Sequence, residues 1–191
     1  VGMLNVRRAY EDVEPIFEIA ADINEAAARS AARRFGYRKI TTDWRDVIRD
    51  PQVDLVIIAT PNFTHAEIAV AAARAGKHIL CEKPMSNDLA EGKAMAEAAA
   101  AAGVKTLVDF IYTKCPANLL AKKLMESGKL GSFVTFRGEF DGSYCADPRT
   151  PATWRQLAAS AGTGTLGDLN AHIISLSDMI LGQKIVEVLA S

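Results

Sequence analysis

Four side chains in this sequence have types and spacings that could do chemistry. Lys83 lies in the run Glu82-Lys83-Pro84. Proline disfavours helical backbone for the residue before it, so this lysine is held extended. At a strand exit, that aims an ammonium into a cleft. There it could exchange protons with a substrate hydroxyl where burial or a nearby cation lowers its pKa. The same residue also reads as an exposed cation beside Glu82. Asp168 and His172 are four apart, so on a helix they share a face. A carboxylate beside an imidazole can fix its tautomer and favour its charged form. Taken alone, such a pair is more commonly a helix-start aspartate and a core histidine. Asp22 ends an apolar run. A carboxylate there can accept hydrogen bonds from the ribose hydroxyls of a dinucleotide and repel an extra phosphate. A solvated aspartate opening a helix is an equally good reading of it.

Other candidates carry less. His65 falls in a helix's first turn and His78 at a strand start, and neither has a second ligand at metal spacing. Cys81, Cys115 and Cys145 make an odd count with no CxxC pair, which argues against a disulfide framework or a zinc site and for a reducing, cytoplasmic setting. No metal site is expected. Gly162-Thr163-Gly164 resembles part of a dinucleotide loop but follows no strand, so it reads as a turn. No GxSxG, HExxH or Walker motif occurs.

The elements that must position these residues alternate along residues 16–110. Ile16 to Ala21 reads as a strand, and Asn24 caps a helix ending at Gly36. Asp54 to Ala59 is a nearly continuous apolar run, as expected of a strand buried on both faces. Thr64 and Glu67 have capping-box spacing and open a helix closed by Gly76. His78 to Cys81 is a strand. Asp88 and Glu91 open another helix, closed by Gly103, and Val104 to Phe110 is a further strand. This order predicts an α/β fold with a parallel sheet and helices on both faces. Ligands bind outside the carboxyl ends of such strands, where Asp22, Thr60-Pro61-Asn62 and Glu82-Lys83-Pro84 fall.

Beyond Phe110 the rhythm changes. A helix is expected over Pro116–Ser127, stopped by Gly128. A strand is expected over Phe133–Phe140, a short helical piece near Trp154, a helix over Asp168–Leu181 and a strand over Ile185–Ala190. A second domain begins here, and its two strands lack partners for a full sheet. The natural protein is therefore expected to continue beyond Ser191. The expected boundaries are 1–112 for a dinucleotide-binding domain and 113–191 for the start of a substrate domain.

Composition bounds the function. The chain has 191 residues, 49% of them hydrophobic, enough for one domain and part of a second. A formal net charge of −1, with scattered Lys and Arg, gives no case for nucleic acid or an anionic membrane. No stretch approaches the ~20 apolar residues of a membrane span.

Two stretches together resemble the Gfo/Idh/MocA family. They are VDLVIIATPNFTHAEIAVAAARAGKHILCEKP, Val53 to Pro84, and TWRQLAASAGTGTLGDLNAHIISL, Thr153 to Leu176. The likeness extends over roughly residues 14–190. It implies a Rossmann-type parallel sheet followed by an α/β domain with an open, mainly antiparallel sheet. It implies that Lys83 is the catalytic lysine of the EKP motif and that Asp168 and His172 form the catalytic Asp/His pair. Asp22 falls where the family reads the ribose. Thr60, Pro61, Asn62, His65, Glu82 and Lys83 fall on the dinucleotide site, and Tyr112, Trp154 and Arg155 near the substrate pocket. Asn170 stands where the family has Gly and Ser175 where many members have Asp, which bears on one substrate contact. The family's first strand and GxGxxG loop have no counterpart, and Val1 falls inside the helix that follows that loop.

The activity so implied is hydride transfer between a sugar, inositol or related polyol and NAD, with NADP possible. A homo-oligomer is implied too. Two other readings belong to the same resemblance: an enzyme that cleaves or eliminates a glycoside using bound NAD, and a non-enzymatic dinucleotide or sugar sensor. The proton-transfer set Lys83, Asp168 and His172 argues against a sensor.

Overall fold

This computed structural model describes residues 12–143 and 146–189. The expected position of Val1 inside a helix, together with Cys145 and Ala190, lies outside the described residues.

The first half is built of short parallel strands joined by helices. Strand β1 (Ile19–Ala21) leads into α1 (Glu25–Phe35). Asn24 starts that helix as its side chain accepts from the backbone N–H of Ala26 and Ala27, at 3.0 and 3.3 Å. Strand β2 (Lys39–Thr41) and helix α2 (Trp44–Arg49) follow. Neither is legible in the sequence, because each is short and KIT carries little apolar signal. Then come β3 (Leu55–Ile58), α3 (His65–Arg74), β4 (His78–Cys81), α4 (Leu89–Ala102) and β5 (Thr106–Val108). Asp88 caps α4 by accepting from Glu91 N at 2.9 Å, as its spacing predicts. The Thr64–Glu67 capping box does not form. Thr64 Oγ1 donates to the Pro61 carbonyl at 2.8 Å, and Glu67 pairs with Arg45 at 3.0 Å. A 3-10 turn over Asn62–Thr64 has already drawn the threonine into its own hydrogen bonding.

All strand pairing among the described residues is parallel, in two pieces: β1 with β2, and the order β3-β4-β5. The core lies between the second piece and α3 and α4. Val56, Ile58, Ile79 and Cys81 face Ile68, Ala69, Ala72, Ala73 and Met95 there. The alanines of α3 let the helix sit close on the strands, and Ala72 and Ala73 are fully buried. The expectation that β3 is buried on both faces does not hold. Leu55 and Ile57 are 38% and 43% exposed, on the face the described elements leave open.

The second half is helical. A 3-10 turn (Ile111–Lys114) enters α5 (Pro116–Glu126). A 3-10 turn (Trp154–Gln156), α6 (Ala158–Ala161), a π-helical turn (Leu166–Asn170) and α7 (Ala171–Leu181) complete it. Helices α5 and α7 pack together. The strands expected over Phe133–Phe140 and Ile185–Ala190 do not form among the described residues, nor does the mainly antiparallel sheet they would have begun. A strand needs a neighbour for its row of N–H and C=O groups, and no described segment lies in register beside either. Val134, Val186 and Leu189 accordingly stand 90%, 95% and 98% exposed. Among the described residues no helix is long and apolar enough to cross a membrane.

Ile58 is 2% exposed at the centre of the core. Ile58→Ala should lower unfolding free energy by about 3 kcal/mol through lost transfer energy and a residual cavity. Urea denaturation monitored by circular dichroism checks this, and a loss under about 1 kcal/mol would mean the core collapses around the gap.

Candidate active site

The site forms where strand exits meet the π-helical turn. At the end of β4, Glu82 N donates to the Ile58 carbonyl at 2.9 Å, which keeps the Glu82-Lys83-Pro84 segment registered on β3. The Lys83–Pro84 peptide bond is cis. From here the Lys83 ammonium reaches Asp168, 2.7 Å from Oδ1, and it also donates to the Asp168 backbone carbonyl. Both side chains are mostly buried, at 16% and 24% exposure. Desolvation disfavours either charge alone, so the pair compensates what each would lose.

Asp168 is held by the turn beneath it. Its N–H donates to the Gly164 carbonyl at 2.9 Å. The Gly162-Thr163-Gly164 segment is thus a turn, as read from the sequence, and it buttresses this site. A Cβ on Gly167 would stand 2.1 Å from Thr163 Oγ1. Gly162 has φ +60° and ψ −108°, and a Cβ there would lie 2.6 Å from Asn87 Oδ1. A side chain at position 162 therefore meets both backbone strain and a clash.

His172 lies in the first turn of α7, 5% exposed. The Asp168–His172 spacing places both on consecutive turns, but the first of these is π-helical rather than α. The imidazole sits in an aromatic cage. Its centroid is 4.8 Å from the Tyr112 ring and 6.2 Å from that of Phe110, both edge-on, and it stacks on Phe140 at 5.5 Å. Its Nδ1 is buried without a hydrogen-bond partner. Burial in this cage, then the Lys83 charge, pushes the His172 pKa below the usual imidazole value, with Asp168 and Asp109 opposing. Phe140 was not legible as a site residue. It ends the segment FVTFRGEF, whose alternation suggested only a strand.

The remaining candidates distribute as follows. Asp22 is exposed at the end of β1, where Oδ1 accepts from Asn24 N at 2.8 Å. Thr60 is exposed, Pro61 half-buried and Asn62 buried, at the end of β3. Thr60 Oγ1 lies 2.6 Å from Thr64 Oγ1. His65 is fully buried, with both ring nitrogens on backbone carbonyls. Glu82 Oε2 accepts from Lys83 N at 3.2 Å. The Arg155 guanidinium lies 4.4 Å from the Trp154 ring centre. Arg155 and Asp168 both line a cavity of about 510 Å³, with Asp147, Thr150, Gln156 and Leu169. Tyr112 packs on His172, away from that cavity's lining. His78 Nδ1 accepts from Lys105 N at 3.1 Å. The Cys81 thiol is pushed up to about 12 by burial and the Glu82 charge, so it stays protonated and inert. Among the described residues, no group of three or more His, Cys, Asp or Glu could hold a metal ion.

Parallel strands whose carboxyl ends collect polar residues define a Rossmann-type dinucleotide-binding fold, here continuing into a helical segment that carries Asp168 and His172. Residues 7–110 match the oxidoreductase family with an NAD-binding Rossmann fold, and residues 118–191 the GFO/IDH/MocA C-terminal domain. The chain belongs to the Gfo/Idh/MocA family of oxidoreductases. It is 44% identical over 169 residues to levoglucosan dehydrogenase of Pseudarthrobacter phenanthrenivorans, covering 88% of this chain and 43% of that protein. It is 32% identical over 161 residues to scyllo-inositol 2-dehydrogenase (NAD(+)) of Bacillus subtilis, covering 84% and 45%. A structure of levoglucosan dehydrogenase in complex with NADH and levoglucosan superposes with a TM-score of 0.90 at 41% identity, covering 95% of this chain and 50% of that one. The chain spans about half the length of the relatives it matches.

Two predictions follow from this geometry. Because His172 has a lowered folded pKa, the unfolded chain takes up its proton first as pH falls. Its contribution to stability is present above the ordinary imidazole value and is lost between that value and the lower folded one. Proton NMR titration should give a midpoint below about 6.5, and Phe140→Ala, by admitting water, should raise it. An unchanged midpoint in the variant would remove Phe140 from the cause. Separately, Gly162→Ala should destabilise by about 1–3 kcal/mol from backbone strain alone, read as a lowered urea midpoint.

Proposed function

We propose that this site serves reversible hydride transfer between a hydroxyl-bearing carbon of a sugar, inositol or related polyol and NAD. The observation that carries the reading is the Lys83–Asp168 ion pair, formed across 85 residues of chain, with His172 one turn beyond it. That arrangement puts a fixed cation, a carboxylate and an imidazole kept neutral by its surroundings in one place. A neutral imidazole can accept a hydroxyl proton, and a nearby ammonium can hold the oxygen that loses it.

The dinucleotide fits the strand exits. Asp22 offers an exposed carboxylate for ribose hydroxyls, and Thr60, Pro61 and Asn62 line the next exit. Glu82 and Lys83 form the third. The nicotinamide supplies the hydride acceptor when bound. His172 takes the hydroxyl proton. Lys83 donates a hydrogen bond to the same hydroxyl oxygen and steadies it as that proton leaves. Asp168 sets the lysine and, through the shared turn, keeps it near the imidazole. Arg155, with Trp154 beneath it, serves the sugar in the cavity it shares with Asp168. Residues 1–112 form the dinucleotide-binding unit and 113–191 the start of the catalytic and substrate domain. The names of the relatives, one acting on levoglucosan and one on scyllo-inositol, support a cyclic polyol or anhydro sugar as the substrate class.

In the full-length protein, Lys83→Ala and His172→Ala should each cut turnover by about 100-fold or more. NADH affinity, read by fluorescence titration, should fall far less than turnover. Matching losses in turnover and affinity would instead give these residues a structural role.

A further inference from the structure

His65 is a buried polar side chain that hydride transfer leaves without a task. It opens α3 and is 0% exposed, so its ring meets no bound ligand directly. Nδ1 lies 3.0 Å from the Pro84 carbonyl oxygen and Nε2 lies 2.9 Å from that of Thr60. Both partners are acceptors. A neutral ring donates to one of them and a doubly protonated ring to both. Thr60 follows β3, and Pro84 follows Lys83 at the end of β4. The ladder joining these strands closes with Glu82 N donating to the Ile58 carbonyl. Beyond that rung, His65 links the two exits through its two ring nitrogens.

The position of that link matters. Pro84 is bonded directly to Lys83, so a carbonyl fixed at Pro84 limits the backbone from which the ammonium reaches Asp168. Thr60 stands in the turn proposed for the dinucleotide. One ring therefore sets the spacing between the cofactor-side turn and the lysine. Phenylalanine could fill the same space without making either bond. A side chain needed only for volume would not have to present a polar edge to each carbonyl.

We infer that His65 is a positioning residue: by holding the Thr60 and Pro84 carbonyls on one imidazole, it fixes where the Lys83 ammonium meets Asp168. The inference rests on Lys83 acting in the proposed reaction.

The test uses full-length protein with His65→Phe, which keeps ring volume without hydrogen bonds, and His65→Gln, which can keep one carbonyl. Lys83→Ala is assayed in parallel. kcat, KM and the pH profile of kcat are measured at a temperature where circular dichroism shows each variant folded. The expected result is a fall in kcat of roughly tenfold or more in His65→Phe, as displaced catalytic groups produce, with a moved pH profile. His65→Gln should keep part of the turnover. Wild-type kcat and pH profile in either folded variant, with only a lowered melting temperature, would overturn the inference. If His65→Phe does not fold, His65→Gln decides by the same criteria. If Lys83→Ala also keeps wild-type turnover, the hydride-transfer reading itself fails, which separates the two failures.

Discussion

The ion pair between Lys83 and Asp168 is the constraint on which the rest of the site depends. It joins a strand exit of the parallel sheet to a turn that arrives 85 residues later. Neither partner is well hydrated, so each is a poor neighbour for anything but the other. The sheet side of the pair is registered by β4 on β3, and the buried His65 ring sits between the Thr60 and Pro84 carbonyls there. The other side is fixed by the Gly162–Gly164 turn and the π-helical turn at Leu166–Asn170. Geometry on both sides is thus set before any ligand binds, which is what positioning catalysis requires.

The imidazole is handled differently from the lysine. Lys83 is held by charge, whereas His172 is held by rings. Phe110 and Tyr112 come from the exit of β5 and Phe140 from the segment before the site, so three rings from two separated parts of the chain exclude water from one histidine. The cage and the nearby ammonium both oppose protonation of that ring, against Asp168 and Asp109. A ring biased in this way towards its neutral form suits the proposed acceptance of a hydroxyl proton.

Much of this was legible in the sequence because it depends on local rules. The helices capped by Asn24 and Asp88, the strands around Ile58 and His78–Cys81, and the exit of Lys83 ahead of proline each follow from a few adjacent residues. The Asp168–His172 spacing was enough to bring both to one region. What was not legible depends on partners far away in the chain. FVTFRGEF alternates like a strand, but alternation cannot supply a neighbour to pair with. The apolar run of β3 suggested burial on both faces, yet Leu55 and Ile57 are left partly exposed. The capping-box spacing of Thr64 and Glu67 lost to a 3-10 turn and to Arg45. His65 belonged to a motif suggestive of cofactor contact, and only the fold reveals that both of its nitrogens are turned inward onto carbonyls.

The central claim is that this constellation moves a hydride from a cyclic polyol or anhydro sugar to NAD. The most direct measurement is the absorbance of NADH on mixing the full-length protein with NAD and a panel of levoglucosan, inositols, aldoses and sugar acids. The account predicts growth of the NADH signal with at least one cyclic polyol or anhydro sugar. A flat trace across the panel, with NAD binding established by titration in the same sample, would contradict it.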